Sequence, residues 1–123
     1  MKNILFISYD GMTDPLGQSQ VIPYLIGLTR YGYQFTILSC EKQERFTLHK
    51  TEVEDLLKPY SIKWVSILYH KQPPVFSSIY DVYQLKKKAK QLHAKEKFDM
   101  VHTRPGIPAL IGVWVKKTFG LKF

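Results

Sequence analysis

The chain has 123 residues, of which 45% are hydrophobic and 14% aromatic. This composition excludes a disordered polymer, and the length suits one domain or part of one. The 18 Lys and Arg residues outnumber the 10 Asp and Glu residues, which gives a formal net charge of +8. Such an excess attracts anionic partners (nucleic acid, acidic lipid or phosphorylated substrates) without choosing among them.

The sequence predicts a cytoplasmic protein. No apolar run approaches the roughly 20 residues that a membrane-spanning helix needs, and the first residues lack the cleavage site of a signal peptide. Cys40 is the single cysteine, so no internal disulfide can form, as is usual in a reducing compartment. A catalytic thiol is disfavoured because no histidine lies near Cys40 in the sequence.

The first predicted unit is a strand, a turn and a helix. Residues 4–9 form an apolar run typical of a central strand in a parallel sheet. Turn-forming residues follow over 10–17, where Gly17 permits a close backbone approach. A helix is predicted from about residue 18 to residue 31, ended by Gly32. A turn leading into a helix at the carboxyl edge of a sheet offers backbone N–H groups to an anion.

Further strands and helices alternate along the rest of the chain. The strands are rich in β-branched and aromatic residues, and the helices carry apolar residues at intervals of three and four. In order, the sequence predicts a strand over 34–40, a charged connection over 41–44, a helix over 45–57, a strand over 62–69, a basic helix over 77–96, a strand over 98–102, a turn over 103–106, a helix over 107–119 and the start of a fifth strand over 121–123.

This alternation predicts an α/β fold, a Rossmann-like three-layer sandwich with a parallel sheet of order 3-2-1-4-5 that is incomplete at the C-terminus. Ligands of such sheets bind beyond the carboxyl ends of the strands, where the strand order reverses. For this order the reversal lies between the first and fourth strands. The turns over 10–17 and 103–106 should therefore face each other across one crevice.

This chain lacks the residues that define three familiar doubly wound families. A dinucleotide site needs G-x-G-x-x-G, whereas this turn has only Gly11 and Gly17, and no acid is expected at the end of the second strand to hold a ribose. A P-loop needs lysine where Gln18 stands. A phosphate-accepting receiver domain needs an aspartate after the third strand, where residues 68–70 read Leu-Tyr-His.

Two stretches resemble a known family. The first stretch is ISYDGMTDPLGQSQVIPYLIGLTRYGYQFTILS, which resembles the opening of bacterial retaining glycosyltransferases of the GT-B type (family four, group 1 type). The second is FDMVHTRPGIPALIG, which resembles a later part of the same N-terminal domain. The resemblance implies that residues 1–123 are the N-terminal, acceptor-side domain, truncated and without the C-terminal domain that binds the nucleotide-sugar. The isolated chain is then expected to be inactive, although the parent protein is a hexosyltransferase.

The implied reaction moves a sugar from a nucleotide-sugar to a lipid-linked or saccharide acceptor in cell-surface polysaccharide synthesis. The resemblance implies no cofactor, and no metal is indicated because His49, His70 and His93 lack metal-ligand spacing. Lipid-linked acceptors are presented at anionic bilayers, so the basic helix over 77–96 is a candidate for peripheral contact with the inner face of the membrane. The plainer interpretation of this helix is a solvated face.

The resemblance also assigns donor contacts. Gly17 and Gln18 match the glycine-rich loop whose backbone approaches the donor's phosphates, which agrees with the anionic character of a pyrophosphate leaving group. Leu16 departs from the commoner form, which has two successive glycines. The alternative is that Gly17 only shapes a turn.

The acceptor side involves four further residues. His102 matches the histidine that lies near the transferred sugar or the acceptor, and it is the candidate catalytic residue. Arg104 is a candidate for an acceptor phosphate, and Asp10 and Asp14 are candidates for sugar hydroxyls. The alternatives are a buried, backbone-bonded His102, a solvated Arg104 and two turn-shaping aspartates.

A second hypothesis comes from another class of protein. The net charge of +8 also fits a stand-alone basic α/β module that binds nucleic acid or anionic lipid. Nucleic acid is the weaker partner, because the basic residues lack a recognition motif or an aromatic platform.

Overall fold

The structure is a computed structural model that describes residues 2–8, 11–13, 17–68, 74–103, 113–114, 116–118 and 120. In order, the chain forms β1 (Lys2–Ser8), α1 (Ile22–Thr29), β2 (Tyr33–Glu41), α2 (Gln43–Leu57), β3 (Lys63–Leu68), α3 (Pro74–Glu96) and β4 (Met100–Thr103). Residues 113–114 and 116–118 are helical, in agreement with the last predicted helix. The remainder of that helix, residues 104–106 and the predicted fifth strand lie outside the described residues.

The four strands form one parallel sheet in the order β3-β2-β1-β4. This confirms the α/β class and the 3-2-1-4 part of the predicted order. Parallel neighbours cannot be joined by tight hairpins, and α1, α2 and α3 provide the crossovers. The strand order reverses between β1 and β4, which brings the carboxyl ends of these two strands side by side.

Side chains alternate across the sheet and form two cores. Phe6 and Ile37 point to the face covered by α1 and α2, and Leu5 and Leu38 point to the face covered by α3. The apolar residues predicted at intervals of three and four in the basic helix form a buried seam on α3: Leu85 and Ala89 are fully buried, with Val82 and Leu92 packed beside them. No helix among the described residues is both long enough and apolar enough to span a bilayer.

The first helical segment differs from its prediction at both ends. A π-helical turn, Gly17–Val21, takes up the start of the predicted helix, and Pro23 lies in the first turn of α1. Proline suits this place because its fixed φ is compatible with the start of a helix. α1 ends at Thr29, and Gly32 follows with φ +85°, a left-handed conformation that glycine adopts without strain.

Candidate functional site at the carboxyl edge of the sheet

β2 ends on a buried acid, Glu41. The prediction of a charged connection over 41–44 is wrong, because β2 continues through Glu41, and the residue is 0% exposed. The expectation of no acid at the end of the second strand is wrong for the same reason. Glu41 shares the α1 and α2 face of the sheet with Ile37, and its carboxylate meets the loop that follows β1.

The Glu41 carboxylate accepts hydrogen bonds at both oxygens. Oε2 accepts from the Met12 backbone N–H at 2.8 Å and from the Ser39 hydroxyl. Oε1 accepts from the Thr13 backbone N–H at 3.1 Å and from the Thr13 hydroxyl at 2.7 Å. Trp64 Nε1 donates to Ser39 Oγ at 2.9 Å, which leaves the serine hydrogen to Glu41. These donors replace the water that a buried carboxylate loses.

Two glycines allow this close packing. A Cβ on Gly11 would lie 2.6 Å from Glu41 Oε1, which is closer than real Cβ contacts come. A Cβ on Gly17 would overlap the Gly11 carbonyl oxygen and would lie 2.7 Å from Met12 Cα. The close approach predicted for Gly17 is therefore present, and the neighbouring group is the loop's own backbone.

The Thr13 carbonyl oxygen is a second point at which side chains bind the loop. Arg45 donates to it from Nε at 3.0 Å and from Nη2 at 2.8 Å, and Gln18 donates from Nε2 at 3.3 Å. Sequence reasoning missed Arg45, which lies in the first turn of α2. A cation opposes the helix dipole there, and this unfavourable position was the available signal that Arg45 has a specific partner.

Short polar side chains lie on the sheet beside this loop. Ser8 of β1 pairs in register with Ser39 of β2, which pairs with Ser66 of β3. Ser8 and Ser39 are fully buried. Serine is small enough for the loop and the Glu41 carboxylate to pack on the sheet, and its hydroxyl can hydrogen-bond to the groups brought there.

His102 lies on β4 opposite Phe6 of β1. Its ring stacks on the Phe6 ring with centroids 5.3 Å apart, and it lies 6.2 Å from the ring of Tyr24 on α1. The side chain is partly buried, and this burial lowers the pKa of His102 below its ordinary value of 6.5. A neutral imidazole carries one N–H donor and one acceptor nitrogen.

The structure brings some of the predicted site residues to one edge of the sheet. Gly17 and Gln18 belong to the segment between β1 and α1, and His102 belongs to the strand adjacent to β1. Asp10, Asp14 and Arg104 lie outside the described residues, so their predicted roles stay predictions.

A separate open cleft of about 620 Å³ lies between α2 and β3. Phe46 and Trp64 contribute aromatic rings to it, and Lys50 and Glu54 contribute opposite charges. Gly17, Gln18 and His102 do not line this cleft. The carboxyl edge therefore holds the candidate site, because His102 lies in β4 and Gly17 and Gln18 follow its neighbour β1.

Comparisons with protein-family models, with curated proteins and with solved structures found no match to this chain. Function is therefore inferred from the residues and from their arrangement at the carboxyl edge.

Proposed function

We propose that this chain is the acceptor-side, Rossmann-like domain of a retaining GT-B glycosyltransferase. The enzyme would transfer a sugar from a nucleotide-sugar to a lipid-linked or saccharide acceptor in polysaccharide synthesis. The supporting observation is that His102 lies in β4 and the β1–α1 segment follows the adjacent strand β1, at the point where the order 3-2-1-4 reverses. Ligands of doubly wound sheets bind at this point.

His102 acts in this proposal as a neutral hydrogen-bonding group. Its lowered pKa keeps the imidazole uncharged at neutral pH, and the contacts with Phe6 and Tyr24 hold the ring in place. A neutral ring nitrogen can accept a hydrogen bond from a hydroxyl of the transferred sugar or of the acceptor. The role is positioning at the reacting centre, where small displacements cost much of the rate.

The β1–α1 segment is the proposed donor side of the crevice. Gly17 and Gln18 lie at the junction between the loop and the helical turn that leads into α1. Gln18 already donates to the Thr13 carbonyl oxygen, so these two described parts of the segment are joined before any donor arrives. Asp10, Asp14 and Arg104 are the proposed acceptor contacts.

The proposed place of action is the cytoplasmic face of a membrane, where lipid-linked acceptors are presented. α3 carries exposed lysines that suit an anionic surface, among them Lys87, Lys90 and Lys95. Lys86 has another contact, since its Nζ lies 5.5 Å from the centroid of the Trp114 ring.

The test replaces His102 and compares it with a matched histidine. His49 lies on α2 and pairs with Glu52, so His49→Ala changes the same side chain elsewhere. Protein expressed from the complete reading frame is mixed with UDP-glucose, UDP-galactose or GDP-mannose and a polyprenyl-diphosphate sugar acceptor, and the released nucleoside diphosphate is measured. We expect His102→Ala to lower kcat/KM by about tenfold or more, and His49→Ala to keep wild-type activity.

Two results would contradict the proposal. Wild-type protein that transfers no sugar from any donor would remove the assigned activity, and full activity in His102→Ala would remove the assigned site. Gly17 is unsuitable for this test, because any side chain there collides with Gly11 and Met12 whether or not a donor binds.

A further inference from the structure

We propose that the loop after β1 is an anion-binding cradle whose permanent occupant is the chain's own Glu41, and that substrate phosphate is excluded from the amides of Met12 and Thr13. The cradle itself does not depend on the proposed function. Only the identity of the excluded ligand, a nucleotide-sugar phosphate, rests on it.

The first argument is the direction of the backbone donors. The N–H groups of the successive residues Met12 and Thr13 converge on one carboxylate, at 2.8 Å and 3.1 Å. Successive N–H groups in a turn form an anion-binding concavity, and doubly wound folds use such turns after their first strand for phosphate. The anion in this chain comes from β2 and is covalently attached.

The second argument is that the cradle has no room for another anion. Met12, Thr13 and Glu41 are each 0% exposed, and the Gly11 backbone closes against Glu41 Oε1. The Ser39 and Thr13 hydroxyls each donate a further hydrogen bond, one to each oxygen of the Glu41 carboxylate. An entering phosphate would meet a like charge and would leave a buried carboxylate without its donors, which is strongly unfavourable.

The third argument is that the loop is held from both sides. Glu41 binds the N–H and hydroxyl of Thr13, while Arg45 and Gln18 bind its carbonyl oxygen. Because Glu41 is part of the same chain, its effective concentration at the Met12 and Thr13 amides is high. The carboxylate therefore occupies these amides without any added ligand. Glu41 is therefore a positioning residue, which holds Thr13 where its carbonyl oxygen accepts the hydrogen bond from Gln18.

Chemical rescue tests the cradle. Glu41→Ala removes the occupant and leaves the amides, so a small carboxylate should enter. Glu96→Ala is the matched control, because the partners of the Glu96 carboxylate in the described part of the chain are two side chains, those of Thr36 and Lys63. The midpoint of thermal unfolding is measured in sodium formate and in sodium chloride of equal ionic strength. We expect formate to raise the midpoint of Glu41→Ala by several degrees more than chloride does, with no difference for wild type or Glu96→Ala. Equal responses of the two variants would overturn the proposal.

Glu41→Gln keeps the proposal testable should Glu41→Ala fail to fold. Glutamine replaces one acceptor oxygen of Glu41 by an NH₂ group, which cannot accept the hydrogen bonds that the loop donates there. Hydrogen exchange by NMR should become at least about tenfold faster at Met12 and Thr13, while the Phe46 amide, bonded to Lys42 O at 2.8 Å, keeps its rate. Unchanged exchange at Met12 and Thr13 would overturn the assignment.

A titration of wild-type chain with inorganic pyrophosphate tests the exclusion. The amide resonances of Met12 and Thr13 should not be the ones that move most, and saturable shifts that are largest at these two amides would show that phosphate enters the cradle. None of these measurements involves sugar transfer. Their failure would leave the glycosyltransferase proposal standing, and failure of the transfer assay would leave the cradle standing.

Discussion

Thr13 is the residue through which the candidate site is assembled. Its N–H and hydroxyl donate to Glu41, and its carbonyl oxygen accepts from Arg45 and Gln18. Thr13 is 0% exposed, so these partners replace water at every polar group of the residue. Glu41 and Arg45 come from β2 and α2, and the loop conformation is therefore set by contacts distant in sequence.

The different surroundings of Gly17 and Gly27 predict opposite effects of substitution by alanine. Gly17→Ala places a methyl group against Gly11 and Met12 and should lower the free energy of unfolding by about 1–3 kcal/mol. Gly27→Ala is the control, because Gly27 lies within α1 and a Cβ there meets nothing within 4 Å. It should raise the free energy of unfolding by about 0.5–1 kcal/mol, since alanine favours helix.

Urea unfolding of both variants measures these changes. A Gly17→Ala chain as stable as the wild type would show that the loop is not closed on itself as described. Loss of stability in Gly27→Ala would show that the control helix is packed differently.

Residue types predicted part of this site. A glycine among turn residues indicated a close approach at Gly17, but no local pattern named Gly11 and Met12 as its neighbours. The burial of Glu41 was missed because an acid followed by Lys42 is typical of a solvated connection. Its burial depends on donors from Ser39 of its own strand and from Met12 and Thr13, which become its neighbours only when β1 and β2 pair.

Among the elements, α3 has an unusual C-terminal end. Lys97 adopts φ 51°, a left-handed conformation in a residue other than glycine, and its N–H donates to the His93 carbonyl oxygen at 2.9 Å. The Phe98 N–H donates to His93 Nδ1 at 3.1 Å. Burial and the nearby Lys97 charge lower the pKa of His93. The helix end is thus capped by a neutral histidine.

This cap predicts a loss of stability in acid. A protonated His93 cannot accept the Phe98 N–H, and its pKa in the folded chain lies below the value of 6.5 expected after unfolding. The unfolded chain then binds more protons between the two pKa values, so this stabilisation is complete above about pH 6.5 and decreases as the pH falls through the folded pKa. His102 contributes with the same sign.

The prediction is checked by urea midpoints at about pH 7.5 and about pH 5. The wild-type midpoint should fall in acid, and His93→Gln should show a smaller fall, because glutamine has an acceptor oxygen and does not titrate. An identical fall in His93→Gln would show that the cap does not couple to protonation.

Element types were largely predictable, and their ends were less so. The four described strands fall within one to two residues of their predicted starts because continuous apolar runs identify buried parallel strands. The start of α1 was not predictable, since the π-helical turn Gly17–Val21 depends on how the loop packs on Met12. The helical pattern alone showed no sign of that contact.

For the whole molecule, the net charge of +8 gives a general attraction to anions, and its distribution decides the partner. Lys87 and Lys90 are exposed on α3, which packs on the face of the sheet opposite to α1 and α2. A membrane contact through α3 would leave the β1 loop, which packs with the α1 and α2 core, away from the lipid-facing side of that helix.

Two charge reversals of equal size test this distribution. Lys87→Glu with Lys90→Glu changes the net charge from +8 to +4, since each reversal removes two charges, and Lys2→Glu with Lys58→Glu gives the same net charge at other exposed positions. At about 1 kcal/mol per lysine, the α3 variant should bind phosphatidylglycerol-containing vesicles roughly thirtyfold more weakly than wild type, and the control variant should bind more tightly than the α3 variant.

Vesicle co-sedimentation at low and high salt provides the measurement. Equal binding of the two variants would show that net charge alone governs attachment. Tight, salt-sensitive binding of the wild-type chain to RNA or DNA, with no binding to vesicles, would favour the basic binding module over the membrane-associated enzyme.

The contact between Gly11 and Glu41 also bears on how related chains can be found. A side chain at position 11 and a carboxylate at position 41 exclude each other, so a chain that keeps the acid at position 41 has to keep glycine at position 11. Homologues that inherit this closure should carry glycine three residues past the first strand together with an acid as the last residue of the second. Gly11 and Glu41 are 30 positions apart in this chain (41 − 11). A search for that coupled pair of positions could identify distant relatives whose overall similarity has faded.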